Sequence, residues 1–243
     1  FIAGSHACMG AHAIQRIAEL AREWRHPVFL AQLDLRKAFD HVWHSAALEA
    51  MEAQGIPLQA QAFMAKLWQQ STVRAKLGAE MSDPVPVRRG LPQGAPESPM
   101  VFTLLIDLVL ESVAEKWKSN GWGFSVDSFY VSGIAYADDI VLVAHTAEHL
   151  QEMAADVARE LRAVGLGIGA AKTHWTSTPT QEGAHLNVEG SLVAWEPAIT
   201  FVGTVIDLSG TCGPAMAYRM AQADKCFARW RGPLTCSHVS LKR

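Results

Sequence analysis

Cysteine is scarce in this 243-residue chain: only Cys8, Cys212, Cys226 and Cys236 occur. No two of them have the C-x-x-C spacing of a zinc or redox motif. Cys236 and His238 supply two ligands where a structural zinc takes four, so ordinary reduced thiols are expected. Long apolar runs are also missing. The longest, residues 100–110, has Asp107 inside it; it is too short to cross a bilayer and reads as a buried helix. Low-complexity tracts and repeats at solenoid periods are absent. No leader-type segment is expected, and Phe1 opens in mid-pattern, as a piece of a longer protein would. Positive charge is not in excess: the formal net charge is −3, which weighs against a nucleic-acid binder. The expectation is an intracellular protein, nuclear or cytoplasmic, with no membrane partner.

What is present suffices for one substantial core plus a small appendage, since 49% of the residues are apolar. Charge is uneven. Arg219, Lys225, Arg229, Arg231, Lys242 and Arg243 face a single acid, Asp224, over the last stretch. That pattern fits a solvated helix face or a phosphate-contacting edge equally well.

Ile14, Ile17, Ala21 and Trp24 recur at helical spacing, and the helix should stop before His26-Pro27. Residues 28–35 alternate like a strand. Ser45 is a candidate cap for a helix reaching Gln54, with Gly55 as its stop; a second helix fits 57–70. Residues 73–77 and 85–87 suggest a hairpin around Gly78. Ser98-Pro99 reads as a cap and first turn for an apolar helix reaching about Trp117. Residues 134–136 and 140–144 form two apolar runs around a polar centre, a hairpin pattern. An amphipathic helix at 147–164 ends at Gly165. Short strands are expected at 173–177, 192–195 and 201–206, a loop at 178–183, and a last helix at 215–230. This order predicts an α+β fold, a sheet with helices packed on one face. It divides into a main domain, 1–210, and a basic segment, 211–243.

The chemistry-bearing residues are acids at strand ends. Asp34 ends an apolar strand; Asp138 and Asp139 sit at the tip of an apolar hairpin. Singly, each is an ordinary turn residue. Brought together by neighbouring strands, three carboxylates raise one another's pKa unless a cation neutralises them. Such a cluster is a candidate for Mg²⁺, which prefers a few carboxylates plus substrate phosphates. Two such ions can clamp the attacking and leaving oxygens of a phosphoryl transfer. The segment Gly90-Leu91-Pro92-Gln93-Gly94-Ala95-Pro96 cannot be regular structure. It reads as a rigid loop feeding a helix N-terminus, where backbone amides and the Gln93 amide can meet an anion, or as a plain Gly/Pro loop. Arg88 and Arg89 before it fit phosphate contacts or solvated surface equally.

These strings, in this order, resemble the motifs of reverse transcriptases. Leu33-Asp34-Leu35-Arg36-Lys37-Ala38-Phe39-Asp40 is similar to their A motif, and Leu91-Pro92-Gln93-Gly94-Ala95-Pro96-Glu97-Ser98-Pro99 to their B motif. Tyr136-Ala137-Asp138-Asp139 matches the C motif, and Gly165-Leu166 through Lys172-Thr173 resembles the D motif. Phe201-Val202-Gly203 resembles the E motif, which grips the primer end. The likeness runs from about residue 1 to about residue 230 and is nearest to enzymes of non-LTR retrotransposons and group II introns. It implies a reverse transcriptase palm, a ferredoxin-like sheet, with a remnant of fingers and the start of a thumb. It further implies an RNA-directed DNA polymerase taking an RNA template, a DNA primer and dNTPs, with two Mg²⁺ ions, Mn²⁺ substituting. Asp34 and Asp138 would then be metal ligands, with the Leu35 carbonyl close by and Asp139 taking a smaller share. Phe39 would gate against the ribose 2′-hydroxyl, where RNA-copying RNA polymerases of similar fold usually carry a polar acid. Gln93 and Gly94 would touch nucleotide and template. Lys172 would lie near the pyrophosphate and act as a general acid.

The chain also departs from the family. Of the fingers only Phe1-Ile2-Ala3-Gly4 remains, followed by Ser5-His6-Ala7-Cys8-Met9-Gly10 where many relatives continue with Arg-Ser and an Asp. Gly169 stands where the D motif often has Asn. The thumb is at best begun after Met216. The missing fingers and thumb segments of a parent protein are therefore expected partners. The alternative reading is a maturase-like module that binds nucleic acid without polymerising, or a decayed element copy. A palm-like nucleotidyl cyclase shares the sheet and acids but not the Gln93-Gly94 loop. A structural domain without ligand is the plainest reading of all.

Overall fold

In chain order, the computed structural model describes residues 7–127, 129–209 and 213–235. It begins with α1 (Ala7–Glu23), β1 (Phe29–Asp34), α2 (Ala38–His41), α3 (His44–Ala53) and α4 (Leu58–Gln70). Four two-residue strands follow: β2 (Thr72–Val73), β3 (Lys76–Leu77), β4 (Glu80–Met81) and β5 (Val85–Pro86). Next come α5 (Ser98–Ser119), β6 (Phe124–Val126), β7 (Phe129–Val131), β8 (Gly133–Tyr136), β9 (Asp139–Ala144) and α6 (Ala147–Ala163). A 3₁₀ turn (Ala170–Lys172) leads to β10 (His174–Ser177), β11 (His185–Val188), β12 (Ser191–Ala194), β13 (Ala198–Phe201), β14 (Thr204–Asp207) and α7 (Gly213–Thr235). The expectations for Phe1 to Gly4, the Cys8 side chain, Cys212, Cys236, His238, Lys242 and Arg243 lie outside the described residues. Cys226 is a free, exposed thiol.

The main sheet has the order β10-β1-β9-β8, and every pair is antiparallel. β1 is central and its first half is buried on both faces, so Phe29, Leu30 and Ala31 are apolar in succession; polar Gln32 and Asp34 alternate with apolar residues only toward its end. Its odd residues Phe29, Ala31 and Leu33 join Ile140, Leu142 and Ala144 of β9 in one core cluster with α3, α5 and α6. Its even residue Leu30 joins Val141 and Val143 in a second cluster with Ile14 and Ile17 of α1 and with Ile199, Phe201 and Ile206 of β13 and β14. The period-2 side-chain alternation of strands sends each set to its own face. The expected helical face is thus built by α3, α5 and α6. The opposite face is covered as well, by α1 and the β13–β14 hairpin.

α6 illustrates how sequence becomes packing. Leu150, Met153, Ala154, Val157 and Leu161 are buried at helical spacing, and Thr146 caps the start by accepting from the His149 amide at 3.1 Å. Its single buried acid, Asp156, accepts from Lys116 Nζ at 2.6 and 2.8 Å, Trp117 Nε1 at 3.0 Å and Arg159 Nη2 at 2.9 Å. This network ties α6 to the last turns of α5.

Several local expectations are corrected. Neither serine acts as the expected cap. Ser45 lies inside α3, whose N-cap position is Trp43. Ser98 is the first residue of α5 behind Glu97, and its hydroxyl donates instead to the Pro92 carbonyl at 2.7 Å, pinning the loop to the helix. The hairpin around Gly78 pairs β3 with β4, and β2 pairs with β5 outside it. The run 201–206 is not one strand: it turns at Val202-Gly203, both with positive φ (46° and 70°), and forms the β13–β14 hairpin. The β6–β7 hairpin and β11 were not expected at all.

Burial pushes the Asp156 carboxyl up, but the hydrogen bonds from Lys116, Trp117 and Arg159 outweigh it and hold the group below the usual carboxylate range. A carboxylate so lowered stabilises the fold above its unfolded-state pKa, and the benefit is lost as pH falls through the folded-state value. Asp156→Ala is predicted to cost about 2–3 kcal/mol in urea unfolding near neutral pH, because it strands the buried Trp117 indole N–H. The deficit relative to the parent should shrink on acidification.

Candidate active site at the end of the central sheet

The register of β1 and β9 sets Asp34 directly opposite Asp139. Both lie on the sheet face shared with Gln32 of β1. Asp138 belongs to the two-residue turn between Tyr136 and Asp139, which are themselves paired. Ala137 in that turn has φ 55°, a left-handed conformation disfavoured for a residue with a Cβ. Strain of this kind collects at functional sites. Asp138 stands exposed at the tip, while Asp139 is half-buried.

Asp139 is the more constrained of the two. Gln32 Nε2 donates to its Oδ1 at 3.3 Å, and the Val202 amide, at the strained turn of the β13–β14 hairpin, lies close enough to pull its pKa down. Burial pushes its pKa up. The Gln32 hydrogen bond opposes this, the neighbouring charges of Asp138 and Asp34 push further up, and the Val202 amide pulls back. The net result is a carboxyl above its ordinary range. Among the described residues, the Gln32 side-chain carbonyl, Oε1, is buried without a hydrogen-bond partner.

Asp34 is fixed through its backbone. Its carbonyl accepts from the Gly169 amide at 2.7 Å, and its own amide donates to Thr173 Oγ1 at 3.3 Å. A Cβ on Gly169 would sit 2.8 Å from Asp34 Oδ2, so no side chain fits there without displacing the carboxylate. Lys172 Nζ lies 3.9 Å from Asp34 Oδ1 and is 78% exposed, a long pair that contributes little to stability but sets a solvent-exposed cation beside the acid. Asp34, Leu35 and Lys172 line one cleft of about 590 Å³ together with Arg36, Lys37 and His41. The Leu35 side chain itself is buried in the core.

The other expected site residues gather across the A segment. Gly90 has φ 90° and donates its amide to the Val42 carbonyl at 2.8 Å; a Cβ there would lie 2.7 Å from the Asp40 carbonyl oxygen. Only glycine allows this approach. Leu91 donates its amide to Phe39 O at 2.7 Å, and Gln93 Nε2 donates to Asp40 Oδ1 at 2.9 Å. Gln93, Asp40 and Arg89 line a second cleft of about 460 Å³. Gly94 is exposed with φ 89° and open space around it. Phe39 stacks on Phe102 of α5, ring centroids 4.7 Å apart. The structure thus brings Asp34, Asp139 and Lys172 together at one strand end and holds Gln93 on Asp40. Phe39 and Gly94 line neither cleft.

Sequence reasoning missed Gln32, Asp40 and Thr173. A polar residue in an otherwise apolar strand was the available signal for Gln32; Asp40 and Thr173 carried none beyond lying inside the A and D strings.

Among the described residues, no group of three or more His, Cys, Asp and Glu side chains is closed tightly enough to hold an ion unaided. The donor chemistry nevertheless fits a hard divalent cation. Two opposed carboxylates with a third beside them, one pushed up in pKa by burial and further by the charges of the others, form the arrangement that such a charge relieves.

The fold and this acid-tipped hairpin define a polymerase-type palm. Telomerase from Candida tropicalis superposes with a TM-score of 0.59 at 12% identity, over 84% of this chain and 35% of that one, a likeness of fold. The family model for reverse transcriptase (RNA-dependent DNA polymerase) matches residues 4–206, and the chain belongs to that family. It is 30% identical over 147 residues to the Retrovirus-related Pol polyprotein from type-1 retrotransposable element R2 of Nasonia vitripennis, covering 60% of this chain and 14% of that protein. With the R2 polyprotein of Popillia japonica it shares 27% over 216 residues, 84% of this chain and 30% of the relative. The chain therefore spans less than a third of the length of either polyprotein.

Because Asp139 is raised in the folded state, its ionised form costs stability, a cost absent at low pH and growing as pH rises through the unfolded-state pKa. Asp139→Asn removes the charge and keeps an acceptor oxygen. In divalent-free buffer it is predicted to raise the thermal midpoint by a few degrees near pH 7 and to match the parent at about pH 4 or below.

Proposed function

We propose that this chain is the catalytic core of an RNA-directed DNA polymerase of a retroelement, extending a DNA primer on an RNA template with dNTPs. The observation that carries it is the cross-strand pairing of Asp34 with Asp139, with Asp138 in the adjoining turn. Asp34 and Asp138 would hold Mg²⁺, two ions in all, with Asp139 taking the smaller share; Mn²⁺ would serve as well. Bound there, the metal would supply charge neutralisation for the attacking and leaving oxygens.

The chain's own residues do the positioning, which is most of what phosphoryl transfer needs. The primer 3′-hydroxyl would give up its proton to solvent as its oxygen bonds the α-phosphorus; the bond from that phosphorus to the bridging oxygen would break, and pyrophosphate would leave. Lys172, beside Asp34, would hold a proton at Nζ for the leaving group. Leu35 would present its carbonyl beside the acids. Phe39, braced by Phe102, would exclude a ribose 2′-hydroxyl. Gln93, oriented by Asp40, and Gly94 would meet nucleotide and template. The segment 1–210 would be palm with a remnant of fingers. The segment 211–243 would begin the thumb or a connection, its α7 carrying Arg219, Lys225, Arg229 and Arg231. Further fingers and thumb segments of a parent protein would complete the groove. These substrates would place it inside the cell, in nucleus or cytoplasm. No described helix is long and apolar enough to cross a membrane.

The test is primer extension on an RNA template with Mg²⁺ or Mn²⁺. The parent should add dNTPs, and Asp138→Asn should lose at least about 10³-fold in rate, as loss of a charge-stabilising group does. A chain that binds the hybrid but adds nothing is instead the non-polymerising module. In the same assay Phe39→Ala should raise ribonucleotide addition about tenfold or more; equal use of both sugars by the parent removes the gate assigned to Phe39.

A further inference from the structure

Glu189 lies in the turn between β11 and β12, outside every motif that the family resemblance covers. Its side chain is 8% exposed and accepts three hydrogen bonds: from Arg162 Nε at 2.9 Å, from the Ile168 amide at 3.2 Å and from Arg36 Nη2 at 3.3 Å. Arg36 turns its Nε to the Ile168 carbonyl at 2.7 Å. Both polar backbone groups of Ile168 are thus held, one by Glu189 and one by a guanidinium that Glu189 also holds. The backbone at Glu189 has φ 51°, followed by Gly190 at 83°. Such turns ordinarily take Asn, Asp or Gly at the first position, so a glutamate there stays at a conformational cost.

We infer that Glu189 is a positioning residue: it docks the segment 167–172 onto the end of β1, and so fixes Lys172 and the space beside Asp34. The docking is visible in the backbone. The Arg36 amide donates to Gly167 O at 2.9 Å, the Gly169 amide donates to Asp34 O at 2.7 Å, and Leu35 and Ile168 form a bridge between these bonds. Gly169 leaves no slack against the Asp34 carboxylate, and the Lys172 amide bonds back to Gly169 O at 2.9 Å. A shift of Ile168 therefore moves both the acid's wall and the lysine. One low-exposure carboxylate answering two guanidinium groups is a firmer tie than an exposed pair.

The consequence for catalysis rests on the polymerase reading; the docking does not. The test compares the parent with Glu189→Ala and with the near-isosteric Glu189→Gln, by amide hydrogen exchange and by primer extension. In Glu189→Ala the Arg36 and Gly169 amides should exchange about tenfold faster or more while those of β9 keep the parent's rates, with Glu189→Gln intermediate. The kcat for dNTP addition should fall about tenfold, with KM for primer–template within about twofold. Arg36→Ala combined with Glu189→Ala should add little to the single change. Unchanged exchange at Arg36 and Gly169, acceleration spread equally through β9, or an altered KM with kcat intact would each overturn the inference. A parent that adds no nucleotide sinks the polymerase reading alone, and the exchange rates still decide the docking.

Discussion

Everything at the candidate site depends on the antiparallel register of β1 against β9. A slip of one residue would send Asp34 and Asp139 to opposite faces of the sheet. The slip is blocked by the core itself. Phe29, Ala31 and Leu33 fill one face beside Ile140, Leu142 and Ala144, while Leu30 fills the other beside Val141 and Val143. With both faces buried, neither set can be exchanged without exposing apolar surface on each. That same rigidity forces two like charges into a cross-strand pair, an arrangement that is unfavourable by itself. The sheet is held together by its apolar strand bodies, and the repulsion at its end is only partly relieved, by the distant Lys172 cation and the Gln32 amide. An end of this kind favours a cation.

Three further chain segments are tied to that end by backbone atoms, which is why glycine recurs there. Gly90 and Leu91 donate their amides to Val42 and Phe39, Gly169 donates to Asp34, and the Val202 amide reaches Asp139. Side chains then finish the joints: Gln93 on Asp40, Gln32 on Asp139 and Thr173 on the Asp34 amide. Motifs far apart in sequence therefore share one frame, and displacement of any segment is felt by the acids. The α5–α6 ion network around Asp156 supports the frame from behind, on the core face opposite the one to which the acids point.

Much of this was legible in the sequence where a physical period is long or doubled. α1, β1, the β8–β9 hairpin, α5 and α6 follow from apolar spacing, with Gly165 stopping α6 as expected. What was not legible depended on partners distant in the chain. Ser45 and Ser98 have the chemistry of caps, yet Ser98 spends its hydroxyl on the Pro92 carbonyl and Ser45 falls one position inside its helix. The run 201–206 looks like one strand because its turn is made by Val202 in a conformation that valine rarely adopts. β6, β7 and β11 are three or four residues long, too short for a pattern to emerge. At the site, Asp34, Asp138, Asp139 and Lys172 stood out as strings of known type. Gln32, Asp40 and Glu189 did not, since their roles exist only once the strands are paired and the turns are placed.

Binding of Mn²⁺ to the chain, followed by the loss of the free ion's electron paramagnetic resonance signal, tests the paired-carboxylate site without any substrate. Saturable binding by the parent that is lost in Asp34→Asn, with both proteins equally folded by circular dichroism, is the result that the register of β1 and β9 predicts. Binding that persists undiminished in Asp34→Asn, or no binding by a folded parent even with dNTP present, would contradict a divalent-metal site at this sheet end.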